Sequence, residues 1–471
     1  MRPTLALLFL LTVTGPALAT GERTVPASDR TAIGVTIYNH DLALIKDRRA
    51  FELEKGAHTL AFREVSARIR PETVLVRADG LRVHEQNFEY DLLSPQALLR
   101  KYVGREVTLI DRHPTTGEEK ARQVRVLSAG DGVVLQAGDR IETEISGRLV
   151  YPDVPANLRD RPTLTMAVDN ERAGRQQVEV SYLTGGLSWR ADYVAELNDD
   201  DSRLDLNGWV TLTNESGVSY PDAHLQLVAG DVHRVEEAYG VRGAVLGKMA
   251  AAAAAPEMRE ESLFEYHLYT LARPTTIADN QKKQVALLQA DSVACRKEYL
   301  LDGRWGDGRA GSGDGGRRVP VGVWVEVAND QGSGLGQPLP AGIARVYKKD
   351  AGGRLQFIGE DRLAHTPENE VVRLRLGDAF DVTAERRQTE YRRLDTTRDE
   401  PKQSESAWAI TVKNARQEAV IVRVRETLPG DWQILQESVA HTKASAHAAV
   451  WQVPVPARGS AELTYRVRVR P

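Results

Sequence analysis

Few residues in this chain have the types and spacings that chemistry needs, and each such candidate meets an obstacle in its context. Gly311-Ser-Gly313-Asp-Gly315-Gly316 has the glycine spacing of a dinucleotide-binding loop. Such a loop works where a strand feeds a helix whose N-terminus meets the pyrophosphate. Here a polar, Gly-rich stretch precedes the motif and a strand-like run, 319–327, follows it, so a nucleotide site is not supported. Asp302, Asp307 and Asp314 offer oxygen ligands of the kind calcium takes, but neither the EF-hand order nor the Gly-Gly-x-Gly-x-Asp nonapeptide occurs. Asn198-Asp199-Asp200-Asp201 reads as a solvated turn between strands, with a cation site as the alternative. Gly186-Leu-Ser188-Trp-Arg190 imitates a nucleophile elbow, but Arg stands at its fifth position and the context is strand–turn–strand. The ten His are scattered singly, among them His224, His233, His441 and His447, with no His-Glu-x-x-His. Cys295, the only Cys, excludes an intramolecular disulfide and reads as a half-buried strand residue, with a reactive or intermolecularly bonded thiol as the alternative. From these residues alone we assign no catalytic, metal-binding or cofactor-binding position and expect no cofactor.

The elements that would have to position any site are strands, preceded by a leader. Residues 1–19 read as a secretory signal peptide: Arg2, an apolar run from Leu5 to Val13, then Gly15-Pro16 and Ala17-Leu18-Ala19. The apolar run is about 9 residues against the roughly 20 a bilayer-crossing helix needs. No Cys follows the leader to take a lipid, and no later stretch reads as a membrane span. Removing the leader takes away one Arg and no acid, so the net charge moves from −4 to −5. That balance gives no general attraction to nucleic acid or anionic lipid.

Period-2 alternation then recurs along the chain, which predicts a mainly β, multi-domain protein. A β module is expected over 30–93, with short strands at 51–53, 58–62, 73–77 and 81–88 separated by Gly, Pro and charged turns. Over 94–150, Ser94-Pro95 caps a short helix that stops at Gly104, and short bent strands follow, suggesting a small SH3- or Sm-like barrel. A central β-sandwich is expected over 160–395, with flexible insertions at 240–262, which holds an alanine run, and at the Gly-rich 302–318. Leu204, Leu206, Val210 and Leu212 share one face there, as do Val321, Val323, Val325 and Val327. Trp408, Ile410 and Val412, then Val420, Val422 and Val424, suggest an immunoglobulin-like sandwich over 400–471. Three strands run from a Trp to an Asn, at 209–214, 324–329 and 408–414, and read as recurring hairpins with Asn at the strand exit.

One stretch, Ser181-Tyr-Leu-Thr-Gly-Gly-Leu-Ser-Trp-Arg-Ala-Asp-Tyr193, carries a family resemblance. It is supported by 208–214 with Leu225-Gln-Leu-Val-Ala-Gly-Asp231, by 269–279, by 341–366 and by Leu428-Pro-Gly-Asp-Trp432. Together these resemble an uncharacterised family of exported bacterial proteins defined by domain of unknown function 4139, a domain shared with the C-terminal part of mucoidy-inhibitor-A-like proteins. The resemblance covers about 160–471 and departs at the alanine run and at 302–318. It implies location and architecture and transfers no catalytic residue. It also implies a structural signature in Tyr182, Gly185, Gly186, Trp189 and Tyr193, the glycines making a tight turn and the aromatics packing across the sheet.

The expectation is a non-catalytic protein of the periplasm or cell envelope that acts by binding or scaffolding. Its partner would be an envelope protein or glycan, with the oligomeric state open. The alternative is an envelope hydrolase whose site is assembled from residues far apart in sequence. A third option, nucleic-acid binding through the small barrel, is disfavoured by the export signal and the acidic balance.

Overall fold

The computed structural model describes residues 21–89, 91–113, 116–130, 132–145, 147–155, 158–230, 232–233, 258–304, 316–394 and 403–470. Residues 1–19, where a signal peptide is expected, most of 240–262 and the centre of 302–318 lie outside these residues. The described chain is mainly β, as its alternation predicts, and divides into two compact units. The first takes the residues up to Ser188 together with Thr213–Gln226 and Pro274–Gln281; the second takes Trp189–Leu212, Leu227–Arg273 and everything from Lys282 on. No helix among the described residues is long and apolar enough to cross a membrane.

In the first unit one sheet runs Tyr220–Ala229, Arg30–Tyr38, Leu42–Leu53, Gly174–Thr184, Leu75–Arg77. A second runs Glu22–Val25, Gly56–Arg63, Thr163–Asn170, Leu81–Glu89. Thr163–Asn170 therefore pairs with strands of the expected 30–93 module, so the chain does not divide near 160. The short strand expected at 51–53 is the end of a longer one, Leu42–Leu53. The charges at its middle point inward and are paired: Asp47 is 1% exposed and Arg49 0%. Arg30 grips Asp47 through two bonds of 2.9 Å, and Arg49 reaches the same carboxylate at 2.7 Å. Burial pushes the Asp47 carboxyl up, but the bond from Arg30 and the charge of Arg49 outweigh it and hold its pKa below the usual value.

The 94–150 segment keeps the helix its cap predicts. Ser94 accepts the Ala97 N–H at 3.0 Å, Pro95 opens the helix and Lys101 ends it. An antiparallel sheet follows in the order Arg140–Glu142, Val134–Ala137, Glu119–Ser128, Glu106–Arg112, Arg148–Val150. Leu99, Tyr102, Leu109, Val126 and Leu135 form its core.

In the second unit the longest strand, Gln281–Arg304, has Arg203–Asn214 and Val420–Thr427 as neighbours, with Gly322–Ala328 paired to it as well. The C-terminal sandwich does not begin at 400. Val382–Arg393 pairs with Ser404–Asn414 over its whole length, and Arg317–Val319 pairs with Val382–Arg393. About 70 residues supply too few strands to cover both sides of a core, so the sandwich recruits earlier ones. Trp408, Ile410, Val424, Trp451, Leu463 and Tyr465 fill that core. Arg386 and Glu426, both fully buried, cross it as a bidentate pair at 2.8 Å, with the guanidinium 3.5 Å from the centre of the Trp408 ring. Met258–Leu263 and Tyr266–Leu271 form a hairpin, so residues 258–262 belong to a strand and not to a flexible insertion.

Candidate functional site

The Gly185-Gly186 turn joins Gly174–Thr184 to Leu187–Leu197. Gly186 has φ +83°, and a Cβ there would stand 2.6 Å from the Cα of Ser216, so the position admits only glycine. Its N–H donates to Asp41 Oδ1 and its carbonyl accepts the Glu215 N–H, both at 2.6 Å. The turn thus rests on the corner that begins at Asn214. Beneath it lies a buried hydroxyl network. Ser66 and Thr184 hydroxyls meet at 2.6 Å, the Ser66 N–H donates to the Tyr182 hydroxyl, and Ser216 bonds both Asn214 Oδ1 and the Tyr220 hydroxyl. Burial raises Tyr182 well above the usual phenol value and pushes Tyr220 up to about 12, so both are neutral hydroxyls.

From this corner the chain runs on as one wall of a cleft of about 730 Å³ in the first unit. Val218, Ser219, Pro221 and Asp222 line it together with Arg30 and Ile33 of the neighbouring strand, Leu92 and the segment 160–162. Four carboxylates and two guanidinium groups line the space: Glu64, Asp160, Asp222 and Asp279 against Arg30 and Arg161. Most are engaged. Arg30 is held by Asp47, Asp160 by Arg63, and Glu64 lies 3.5 Å from Arg161. Asp279 accepts the Gly217 N–H and the Asn280 amide, both at 2.9 Å. Asp222, exposed and at φ 48°, has no side-chain partner among the described residues. Nothing local in sequence announces this cleft, whose walls come from segments up to about 250 positions apart.

The other signature residues lie in the second unit. Tyr193, fully buried, donates to the Pro340 carbonyl at 2.7 Å, and Tyr269 donates to the Pro338 carbonyl at 3.1 Å. Trp189 is 4% exposed and lies 6.5 Å from Tyr269, ring centre to ring centre; its indole N–H has no partner among the described residues. Extended Pro-rich backbone makes no internal hydrogen bonds, so its carbonyls are free to be gripped in this way. Next to Tyr193, Asp192 is 5% exposed and accepts from Thr211 at 2.6 Å and from Arg345 at 3.1 Å. Tyr182, Gly185 and Gly186 thus belong to the first unit, and Trp189 and Tyr193 to the second.

The remaining sequence candidates have ordinary employment. Asp201 pairs with Lys297 at 2.7 Å and with Lys348, which neutralises the carboxylate a cation would need. Asp200 accepts from Ser202. Cys295 is half-buried; burial, then the charge of Asp201, pushes its thiol up to about 11, which makes it a poor nucleophile. Asp302 is held by Arg425 through two bonds of 2.8 and 2.6 Å, while Asp307 and Asp314 lie outside the described residues. Among the described residues no three His, Cys, Asp or Glu stand together in a way that could hold a metal ion.

A family model described as a domain of unknown function (DUF4139) matches residues 178–470. No curated protein matches the chain.

Proposed function

The chain belongs to the family of this domain of unknown function (DUF4139), and from that premise we propose that it is a non-catalytic binding or scaffolding protein of the cell envelope. Residues 1–19 direct its export to the periplasm, and the cleft of the first unit receives an envelope protein or glycan. The observation that supports binding is the state of the cleft's charges. Acid–base catalysis by carboxylates needs one group poised to hold a proton and another kept ionised. Here Asp160 and Glu64 lie in ion pairs and Asp279 staples a loop, while no His is among the lining residues. Such groups shape and orient a ligand. Of the cleft's charged groups Asp222 is left without a side-chain partner among the described residues, and Arg161, Ser219, Pro162 and Pro221 line the same space.

The test is crosslinking and affinity capture from intact envelopes, with the matured full-length protein as bait and Arg161→Ala/Asp222→Asn as the control. The reading predicts a discrete partner that the double variant fails to recover. It also predicts an exported form whose N-terminal sequence starts at Thr20. The four carboxylates of the cleft favour a second reading, an envelope hydrolase. Turnover of peptidoglycan or another envelope polymer by the purified protein, with no partner recovered, would replace the first reading with the second.

A further inference from the structure

The hairpin Met258–Leu263/Tyr266–Leu271 carries a residue at its tip that two separate observations mark as out of place. Leu263 and Tyr266 close the pairing, so the loop is the two residues Phe264 and Glu265. Two-residue loops need a left-handed backbone at their first position, where Gly or Asn is favoured because a bulky side chain crowds its own carbonyl. Phe264 sits there at φ 58°. Its ring is also 85% exposed, and Leu263 beside it is 45% exposed. A phenylalanine is thus held where the turn disfavours it and where water gains nothing from it. The hairpin is anchored right beside its loop, since the ring of Tyr266, which closes the pairing, fills the space beside Gly230, where a Cβ would stand 2.6 Å from it.

We propose that this tip is a docking point for a protein partner that presents an apolar pocket rimmed by Lys or Arg. The charge around the ring selects that chemistry. Glu261 and Glu265 flank the tip with no side-chain partner among the described residues, while Glu260 is occupied by His267 at 2.7 Å. Three Glu against Arg259 leave the hairpin acidic, which disfavours the anionic surface of a membrane and the like-charged tip of a second copy. A basic rim would pair the two free carboxylates while the ring fills the pocket, the usual division between an aromatic anchor and its charged surround. None of the hairpin's residues is among those lining the cleft.

The experiment places the photo-crosslinking amino acid p-benzoylphenylalanine at position 264 of the full-length protein, in cells that make it natively. The proposal predicts an adduct with one protein, at a site flanked by Lys or Arg. The yield falls at least about tenfold in Glu261→Lys/Glu265→Lys. Excess unlabelled wild type competes the adduct away, whereas Phe264→Gly does not, although that variant relieves the turn and keeps or raises the melting temperature. Asp222→Asn leaves the adduct unchanged, which separates this result from the fate of the cleft. An adduct with phospholipid or with a second copy, a yield indifferent to charge reversal, or no adduct at all would overturn the proposal.

Discussion

Two corners of this molecule are built from the same parts and put to different use. At Asn214 and Asn414 a strand ends in a buried asparagine whose side-chain oxygen accepts the N–H two residues on, at 3.1 and 3.0 Å. Each amide then donates to the carbonyl four residues on, at 2.9 and 2.8 Å. Each also reaches a distant segment, Ala278 in the first case and Pro456 in the second. Asn414 carries its chain from one sheet of the C-terminal sandwich to the other and does no more. At Asn214 the residue after next is Ser216, which adds a bond to the same Asn oxygen at 2.7 Å, and the Gly186 turn is stacked on the corner. The chain beyond it becomes a wall of the cleft. A stock corner, made stiffer by a serine and a glycine, leads into a wall of the cleft that we propose holds a ligand.

Breaking the Gly186 contact should have the largest effect. Gly186→Val forces a side chain against the Ser216 backbone in a left-handed conformation, and should cost about 3–5 kcal/mol. Guanidinium unfolding should show the first unit's transition moved or lost while the second's keeps its midpoint. Asn214→Ala comes next, at about 2–4 kcal/mol, because it strands the carbonyls of Val218, Ile277 and Ala278 and removes the acceptor of both bonds that Ser216 donates. Asn414→Ala has fewer bonds to lose, so about 2 kcal/mol is expected, read in the second unit's transition. Equal losses at the two corners, or losses in the same transition, would erase the comparison. Ser216→Ala removes only what distinguishes the first corner and should cost about 1–2 kcal/mol. Asp222→Asn sharpens the point from the other side. It should leave stability within about 0.5 kcal/mol while weakening partner capture.

The strands that form the cores were readable because their alternation is local. Leu204, Leu206, Val210 and Leu212 are buried as the pattern requires, and Ser94-Pro95 marks its helix. Which strands pair is decided across long separations, and no local signal places Thr163–Asn170 beside Gly56–Arg63. Charged side chains ordinarily signal a solvated face, yet Asp47 and Arg49 face inward because each neutralises the other. The asparagines stand out at strand exits, where they read as turn residues of hairpins; their distant partners, 277–278 and 456, are invisible from their own neighbourhoods. The three exits were read as hairpins, yet Ser404–Asn414 and Val420–Thr427 lie in different sheets. The cleft had no signal, since Asp160, Arg161 and Asp222 look like any solvated surface until folding brings them together. Phe264 left a faint one: Leu-Phe flanked by Glu, next to a stretch expected to be flexible.

The first unit is discontinuous in sequence, and that has a consequence for the order in which the molecule can be assembled. Its contribution up to Ser188 is followed by 213–226 and closed only by 274–281, the segment whose carbonyls at Ile277 and Ala278 receive Asn214. A chain made from its N-terminus at roughly 5–20 residues per second spends about 5–20 s between Ser188 and Gln281. Throughout that interval the strands already made wait with open edges and an unfinished cleft wall. The unit's strands can all be paired only once residue 281 has arrived.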